Sequence, residues 1–231
     1  SFAYVSLTGI EKQYYGVELG LNVKVTDWMN IKALGTVSEA KYTSNANMRM
    51  LLSNSGNYED DICMIDGMRE GSTPLAAGSI DLNMRYKYWY IDIIGNYYDN
   101  IYMYFAPVSR RTSAMKSEKI LIDGQQTTVY DIPDQAKGDG GFMLDASIGR
   151  QFRLSHGKRI GFNLMLTNIL NNIKICTGGM ENNRIDTKQN QNDDGTYEVV
   201  NRTNNAYNFQ QSPRKFYANG INGMLMINYY F

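Results

Sequence analysis

Apolar and polar residues alternate with a period of two over most of this chain. Val17, Leu19, Leu21, Val23 and Val25 share one parity; Glu18, Gly20, Asn22 and Lys24 share the other. Ile80, Leu82, Met84, Tyr86 and Tyr88 alternate in the same way with Asp81, Asn83, Arg85 and Lys87. Phe142, Leu144, Ala146 and Ile148 oppose Met143, Asp145, Ser147 and Gly149. Ile160, Phe162, Leu164 and Leu166 oppose Gly161, Asn163, Met165 and Thr167. The final run sets Ile221, Gly223, Leu225, Ile227, Tyr229 and Phe231 against Asn222, Met224, Met226, Asn228 and Tyr230. Successive side chains of a strand point to opposite faces, so this period predicts strands with one apolar face. The stretches 29–45 and 89–105 alternate less cleanly, with Leu34 and Ile94 on the polar parity. A short first strand is expected within residues 2–9, which makes about eight strands in an all-β, antiparallel fold.

Alternation alone does not separate a soluble sandwich from a membrane sheet. Strand length, loop asymmetry and aromatic placement do. Many of the expected strands run about 10–17 residues, where soluble strands average about five or six. Thr26-Asp27-Trp28, Lys87-Tyr88-Trp89 and Ser155-His156-Gly157-Lys158 are tight turns, whereas the connections near 46–75, 106–140 and 173–215 are long and polar. Short turns on one rim and long loops on the other are the pattern of outer-membrane barrels. Trp28, Tyr86, Tyr88, Trp89, Tyr90 and Phe152 gather beside the short turns, and Tyr229 and Phe231 lie near the end of the sequence. Amphipathic rings belong at headgroup level, so this reads as an interfacial girdle. The apolar parity then faces lipid. Glu18, Lys24, Lys32, Asp81, Arg85, Lys87, Asp92 and Asp145 fall on the other face, where charge needs water or partners.

Several local patterns resemble one family. Tyr15-Gly16-Val17-Glu18-Leu19 followed by a polar turn is similar to a hairpin in the C-terminal half of TonB-dependent receptor barrels. Asp145-Ala146-Ser147-Ile148-Gly149 and Asn168-Ile169-Leu170-Asn171-Asn172 resemble two later segments of the same barrels. Cys176-Thr177-Gly178-Gly179-Met180-Glu181-Asn182-Asn183-Arg184 resembles a loop of the SusC-like (SusC/RagA-type) branch, and Ser212-Pro213-Arg214-Lys215-Phe216-Tyr217-Ala218 through Asn228-Tyr229-Tyr230-Phe231 resembles its last strand. The matches run in family order over about residues 14–231. The resemblance implies a 22-stranded barrel of which residues 1–231 are the C-terminal portion, with the plug domain and TonB box absent from this chain. It implies an outer-membrane location and TonB-dependent import of an oligosaccharide or peptide. The implied partners are the remaining strands and plug of the same receptor, a SusD-like surface lipoprotein, the TonB complex through the missing N-terminal part, and outer-membrane lipid. Ile227, Tyr229 and Phe231 resemble the family's barrel-assembly signal. A self-contained eight-stranded barrel acting as anchor or adhesin is the alternative, since eight strands close by themselves.

Composition adjusts this picture in a few places. The chain has 231 residues, with 23 basic and 23 acidic side chains. Zero net charge gives no electrostatic case for nucleic acid. The mean hydropathy of −0.42 suits a sheet with one polar face. No apolar run approaches the roughly 18 residues that a membrane helix needs. The sequence opens at Ser1 in mid-pattern, without an initiating Met or a signal peptide, and reads as a mature or truncated piece.

Candidate chemistry is sparse. His156, the one histidine, sits in a Ser-His-Gly-Lys turn where the sequence places no carboxylate or nucleophile to act with it, so catalysis is not expected. Asp60-Asp61 and Asp193-Asp194-Gly195 lack the spacing of a calcium loop, and no metal or cofactor is expected. Gly138 to Gly141 is glycine-rich, but no Lys-Ser/Thr follows it, so it does not read as a phosphate loop. Arg110, Arg111, Tyr98, Tyr102 and Tyr104 are the candidate substrate-binding residues. Rings stack on sugars, and guanidinium forks bind carboxylates or carbonyls. Cys63 and Cys176 both fall in long loops, where a disulfide between them stays open.

Overall fold

The computed structural model describes residues 3–52, 56–181, 187–195, 197–201 and 213–231. It is all-β, with antiparallel pairing between its strands. Seven long strands form the main sheet: β2 (Lys12–Lys24), β3 (Met29–Tyr42), β6 (Pro74–Tyr86), β7 (Trp89–Tyr102), β11 (Gly141–Arg153), β12 (Arg159–Thr167) and β17 (Asn222–Tyr230). They lie side by side in chain order from β2 to β17, and the two-residue strand β10 (Lys137–Gly138) adds onto β7. The intervening numbers belong to short strands on the long-loop rim. Among the described residues, β2 and β17 do not pair with each other, so the sheet has two free edges.

The register carries the alternation of each strand onto a shared face. Leu21 lies opposite Ala33, Ala33 opposite Ile80, and Leu82 opposite Ile93. Ile91 then meets Ile148, Ile148 meets Leu164, and Leu164 meets Leu225. One face is therefore apolar across all seven strands, and it stays uncovered: Val17 is 75% exposed, Ile80 61% and Ile227 65%. The register also puts Leu34 opposite Ser79 and Ile94 opposite Asp145, on the polar face as their parity predicts.

That polar face is laced by its own side chains. Lys32 approaches Asp81 at 3.7 Å, and Asn83 donates to Asp92. Ser147 Oγ donates to Asp92 at 3.3 Å, and Asn96 donates to Asp145 at 3.3 Å. Lys87 departs from the expected set. It sits in the β6–β7 turn with φ of 53°, its ammonium 5.3 Å from the Tyr86 ring centroid.

The three tight turns lie where the sequence places them. In the first, Val25 N and Thr26 N both donate to Met29 O. In the third, His156 and Gly157 take positive φ, which local turn geometry demands. The opposite rim differs from expectation. Its long connections are not plain polar loops but carry short strands of their own. Two of these, β4 (Ala46–Leu52) and β5 (Tyr58–Cys63), join β1 (Ala3–Thr8) in a separate three-stranded sheet. The expected first strand thus exists outside the main sheet, and the long strands number seven rather than eight. The pair β8 (Lys116–Ile122) and β9 (Gln125–Asp131) is a hairpin whose Asp123-Gly124 turn has φ of 51° and 78°, as a tight two-residue connection requires. Finally β13 (Cys176–Met180) pairs with β16 (Arg214–Tyr217), and β14 (Thr187–Gln191) with β15 (Tyr197–Asn201).

The buried core lies in this loop assembly. Ala46, Met48, Cys63, Ile65 and Met68 form one cluster, covered by Val5, Leu7, Tyr42 and Phe105. Ile101, Met103, Ala136 and Cys176 form a second. Met48, Met50, Met68, Met103 and Met115 are all buried, and unbranched thioethers fill the irregular space between short strands.

Candidate functional site

A cleft of about 670 Å3 opens in the loop assembly, walled by residues 66–69, 132–137 and the Pro213–Lys215 segment, with Tyr102 between them. The 66–69 wall is folded back on β3. Asn45 Oδ1 accepts from Ile65 N at 2.9 Å and Asp66 N at 3.0 Å, while Tyr42 N donates to Met68 O at 2.7 Å. Gln135 ties this wall to the next. Its Oε1 accepts from Arg69 N at 2.8 Å, and its Nε2 donates to the carbonyls of Arg69 and Met103, each at 2.8 Å. A side-chain amide here substitutes for a missing strand, using one donor and one acceptor face in the manner of a backbone peptide.

Tyr102 ends β7 and is nearly enclosed. Arg69 lies 5.0 Å and Lys137 4.6 Å from its ring centroid. Arg69 also pairs with Glu39 at 2.7 Å. Among the described residues, Lys137 and Lys215 form no ion pair. Asp66 and Asp134 supply the opposite charge along the walls. The cleft therefore presents ammonium groups beside carboxylates, an arrangement that suits a polar ligand carrying hydroxyl, carboxylate or amide groups.

The sequence-named binding residues do not converge here. Tyr102 lines the cleft, but its ring carries two cations and is not a free stacking face. Tyr98 lies on the polar face opposite Ala77 and packs against the second core cluster. Tyr104 is 53% exposed just beyond β7; its N–H donates to Gly179 O at 2.9 Å. Arg111 is half-buried, 3.8 Å from Glu59 and 3.9 Å from Met50 sulfur.

Arg110 is 0% exposed. Its guanidinium clasps Glu181 through two bonds, Nε to Oε2 at 2.9 Å and Nη2 to Oε1 at 2.6 Å. It also donates to Pro133 O at 2.8 Å, while Glu181 accepts from Ala136 N at 3.1 Å. In this arrangement Arg110 joins three loop segments and offers no donor to a ligand in the cleft. Expected as a ligand contact, it stands as the internal tie of the site, because an enclosed guanidinium must have its charge matched inside.

Sequence reading missed Arg69, Gln135, Lys137, Lys215 and Glu181. Only Glu181 had a local signal, the Gly178-Gly179-Met180-Glu181 run. Those glycines have a physical reason. Gly179 has φ of 151°, and a Cβ there would stand 2.2 Å from Arg214 O; one on Gly178 would stand 2.9 Å from Ser72 Oγ. The backbone thus comes close enough for Glu181 N to donate to Tyr104 O at 2.7 Å.

Cys63 and Cys176 are both free and buried, each in its own core cluster, so they form no disulfide here. Burial pushes the Cys63 thiol up to about 12. Asp61 has opposing influences: burial raises its pKa, but hydrogen bonds from Ser113, Thr112 and the Ile62 N–H outweigh it and hold the carboxyl below its ordinary value. Among the described residues, no group of three or more His, Cys, Asp or Glu could hold a metal. His156 lies in its exposed turn, remote in sequence from any cleft residue. At the end of β17, Phe231 is 98% exposed, and its ring meets Tyr229 edge-on at 5.2 Å.

Comparison with known proteins finds no matching protein-family model, no matching curated protein and no matching solved structure.

Proposed function

We propose that this chain is the C-terminal portion of a SusC-like, TonB-dependent receptor barrel in the outer membrane, importing an oligosaccharide or peptide. The observation that carries the reading is the apolar face seven strands wide, left uncovered while the opposite face is polar and hydrogen-bonded. Such a face is costly in water, and with long strands and short turns on one rim it suits contact with lipid. The two free edges suit the remaining strands of a larger barrel, since open edges are not tolerated within a bilayer. They weigh against the self-contained eight-stranded barrel, which needs β2 and β17 joined. On this reading the polar face lines the lumen, the short turns face the periplasm, and the cleft at Tyr102 lies on the extracellular side, where the SusD-like lipoprotein sits. Plug and TonB contacts belong to the part of the receptor outside this chain. Ile227, Tyr229 and Phe231 serve the barrel-inserting machinery.

Site-directed nitroxide scanning of β6 in the membrane-inserted receptor tests the reading. Oxygen accessibility should peak at positions 80, 82 and 84, and water-soluble quencher accessibility at 81, 83 and 85. Uniform access along β6 overturns the membrane assignment. Uptake of candidate oligosaccharides and peptides that persists without the TonB complex overturns the importer assignment.

A further inference from the structure

The half of the apolar face nearer the short turns carries one charged residue. Arg150 of β11 lies opposite Trp89 on one side and Phe162 on the other, so it shares the parity of Ile148, Ile91 and Leu164. In the half of the seven strands nearer the short turns, no other charged residue has this parity. Its guanidinium carbon sits 4.7 Å from the Trp89 ring centroid and 4.6 Å from that of Phe152. The Nε atom is enclosed and has no hydrogen-bond partner. Among the described residues, Arg150 forms no ion pair.

Two ring contacts help a cation but satisfy none of its N–H donors. An enclosed Nε without a partner is costly, and an anion in the plane of the guanidinium fork is the usual remedy. No carboxylate of the described chain supplies one. The neighbouring turns add cations rather than anions: Arg153 stands 5.1 Å from the Tyr88 ring centroid and Lys87 5.3 Å from that of Tyr86. The partner that the described residues do not supply is an anion, at the end of the sheet where aromatic rings gather. Apolar positions continue from Arg150 away from the turn, through Ile148, Ile91 and Leu164, which favours a ligand whose charge is followed by hydrocarbon.

We propose that Arg150 is the headgroup anchor of a bound phospholipid, gripping its phosphodiester oxygens while the acyl chains lie along the apolar face. Trp89 and Phe152 hold the guanidinium in place, so that little side-chain entropy is lost on binding. This rests on the reading above that the face meets lipid.

Native mass spectrometry of the receptor purified in detergent, titrated with dioleoyl phosphatidylglycerol, tests it. Arg150→Gln should weaken retention of one phospholipid about tenfold, the loss expected for a charge-assisted hydrogen bond, and Arg150→Lys should lose less. Phe152→Leu, which removes one flank and keeps the cation, should give an intermediate loss. Dioleoylglycerol, with the same tails and no phosphate, should not occupy the site, and inorganic phosphate should not compete. Equal retention by Arg150→Gln and the parent overturns the proposal, as does competition by inorganic phosphate alone, which would make the site an anion site without a lipid. The nitroxide scan of β6 separates the two failures. If that scan places the face in lipid while Arg150→Gln binds normally, only the anchor is lost. If the scan fails, the membrane assignment falls with it.

Discussion

The main sheet and the loop assembly answer the same problem, where to put apolar surface, in opposite ways. In the sheet, β2 and β17 are exposed along their whole length on both faces. Leu21, Ile80 and Leu225 are more than half exposed. In the loop assembly, shorter strands enclose Met48, Ile65, Met103 and Cys176 almost completely, with a buried ion pair between Arg110 and Glu181. The loop assembly folds by the ordinary rule of removing apolar groups from water. The sheet is held by backbone ladders and leaves its apolar face open, which on the proposed reading lipid covers. One chain thus contains a region that encloses its apolar side chains and a region that leaves them exposed, divided where the long strands end.

The strongest way to break this comparison is to remove one partner of the buried pair. Glu181→Ala leaves the Arg110 charge uncompensated and should cost the loop assembly about 3–5 kcal/mol. Hydrogen exchange should accelerate in residues 133–136 and β13 while the β6–β7 ladder keeps its protection. Acceleration spread equally over β6 and β7 would mean that the two regions unfold as one, and the distinction would fail.

A charge on the apolar face probes the other region. Leu21→Arg should cost about 2–4 kcal/mol in a bilayer if the position lies near the midplane, and Asn22→Arg far less. Both faces of β2 are exposed in the isolated chain, so the surrounding medium is what tells these substitutions apart. Urea titration of the receptor refolded in liposomes measures the difference. Equal penalties would remove the lipid-facing assignment.

The gentlest probe is pH. The Asp61 carboxyl, held by Ser113 Oγ at 2.5 Å and by Thr112, titrates below its unfolded value of about 3.9. Its contribution is therefore complete above that pH and is lost as pH falls through the folded value. Acidification should open the loop assembly before the sheet. In a Cys176→Ser background, the enclosed Cys63 reports this opening by reacting with an acid-tolerant pyridyl disulfide reagent. Asp61→Asn should flatten the acid dependence of that reaction. An unchanged profile would place the acid-sensitive group elsewhere.

Much of the sheet was legible because its signal is local and repeated. A period of two over ten or more residues names a strand and its apolar side, and even the off-parity Leu34 and Ile94 lie on the polar face. The loop assembly was not legible for the converse reason. Its strands are four to seven residues long, too short to carry a sustained period, and two of its pairings, β1 with β4 and β13 with β16, join segments far apart in the chain. Gln135 bridges to Arg69 across 66 residues, and Arg110 to Glu181 across 71. No local window contains both members of such a pair. Arg110 looked like a ligand contact in sequence because an arginine in a polar connection is ordinarily solvated.

By itself the sequence determined the all-β class, the strand parities, the three tight turns and the asymmetry between rims. Each of these follows from backbone geometry within one or two adjacent elements. Tertiary structure alone decided which strand joins which sheet, that β1 leaves the main sheet for the loop side, and that Arg110 turns inward to Glu181. It also decided that Arg150 stands unmatched between two rings. These depend on which distant segments meet, and the free energy of a charge depends on what surrounds it rather than on its neighbours in sequence.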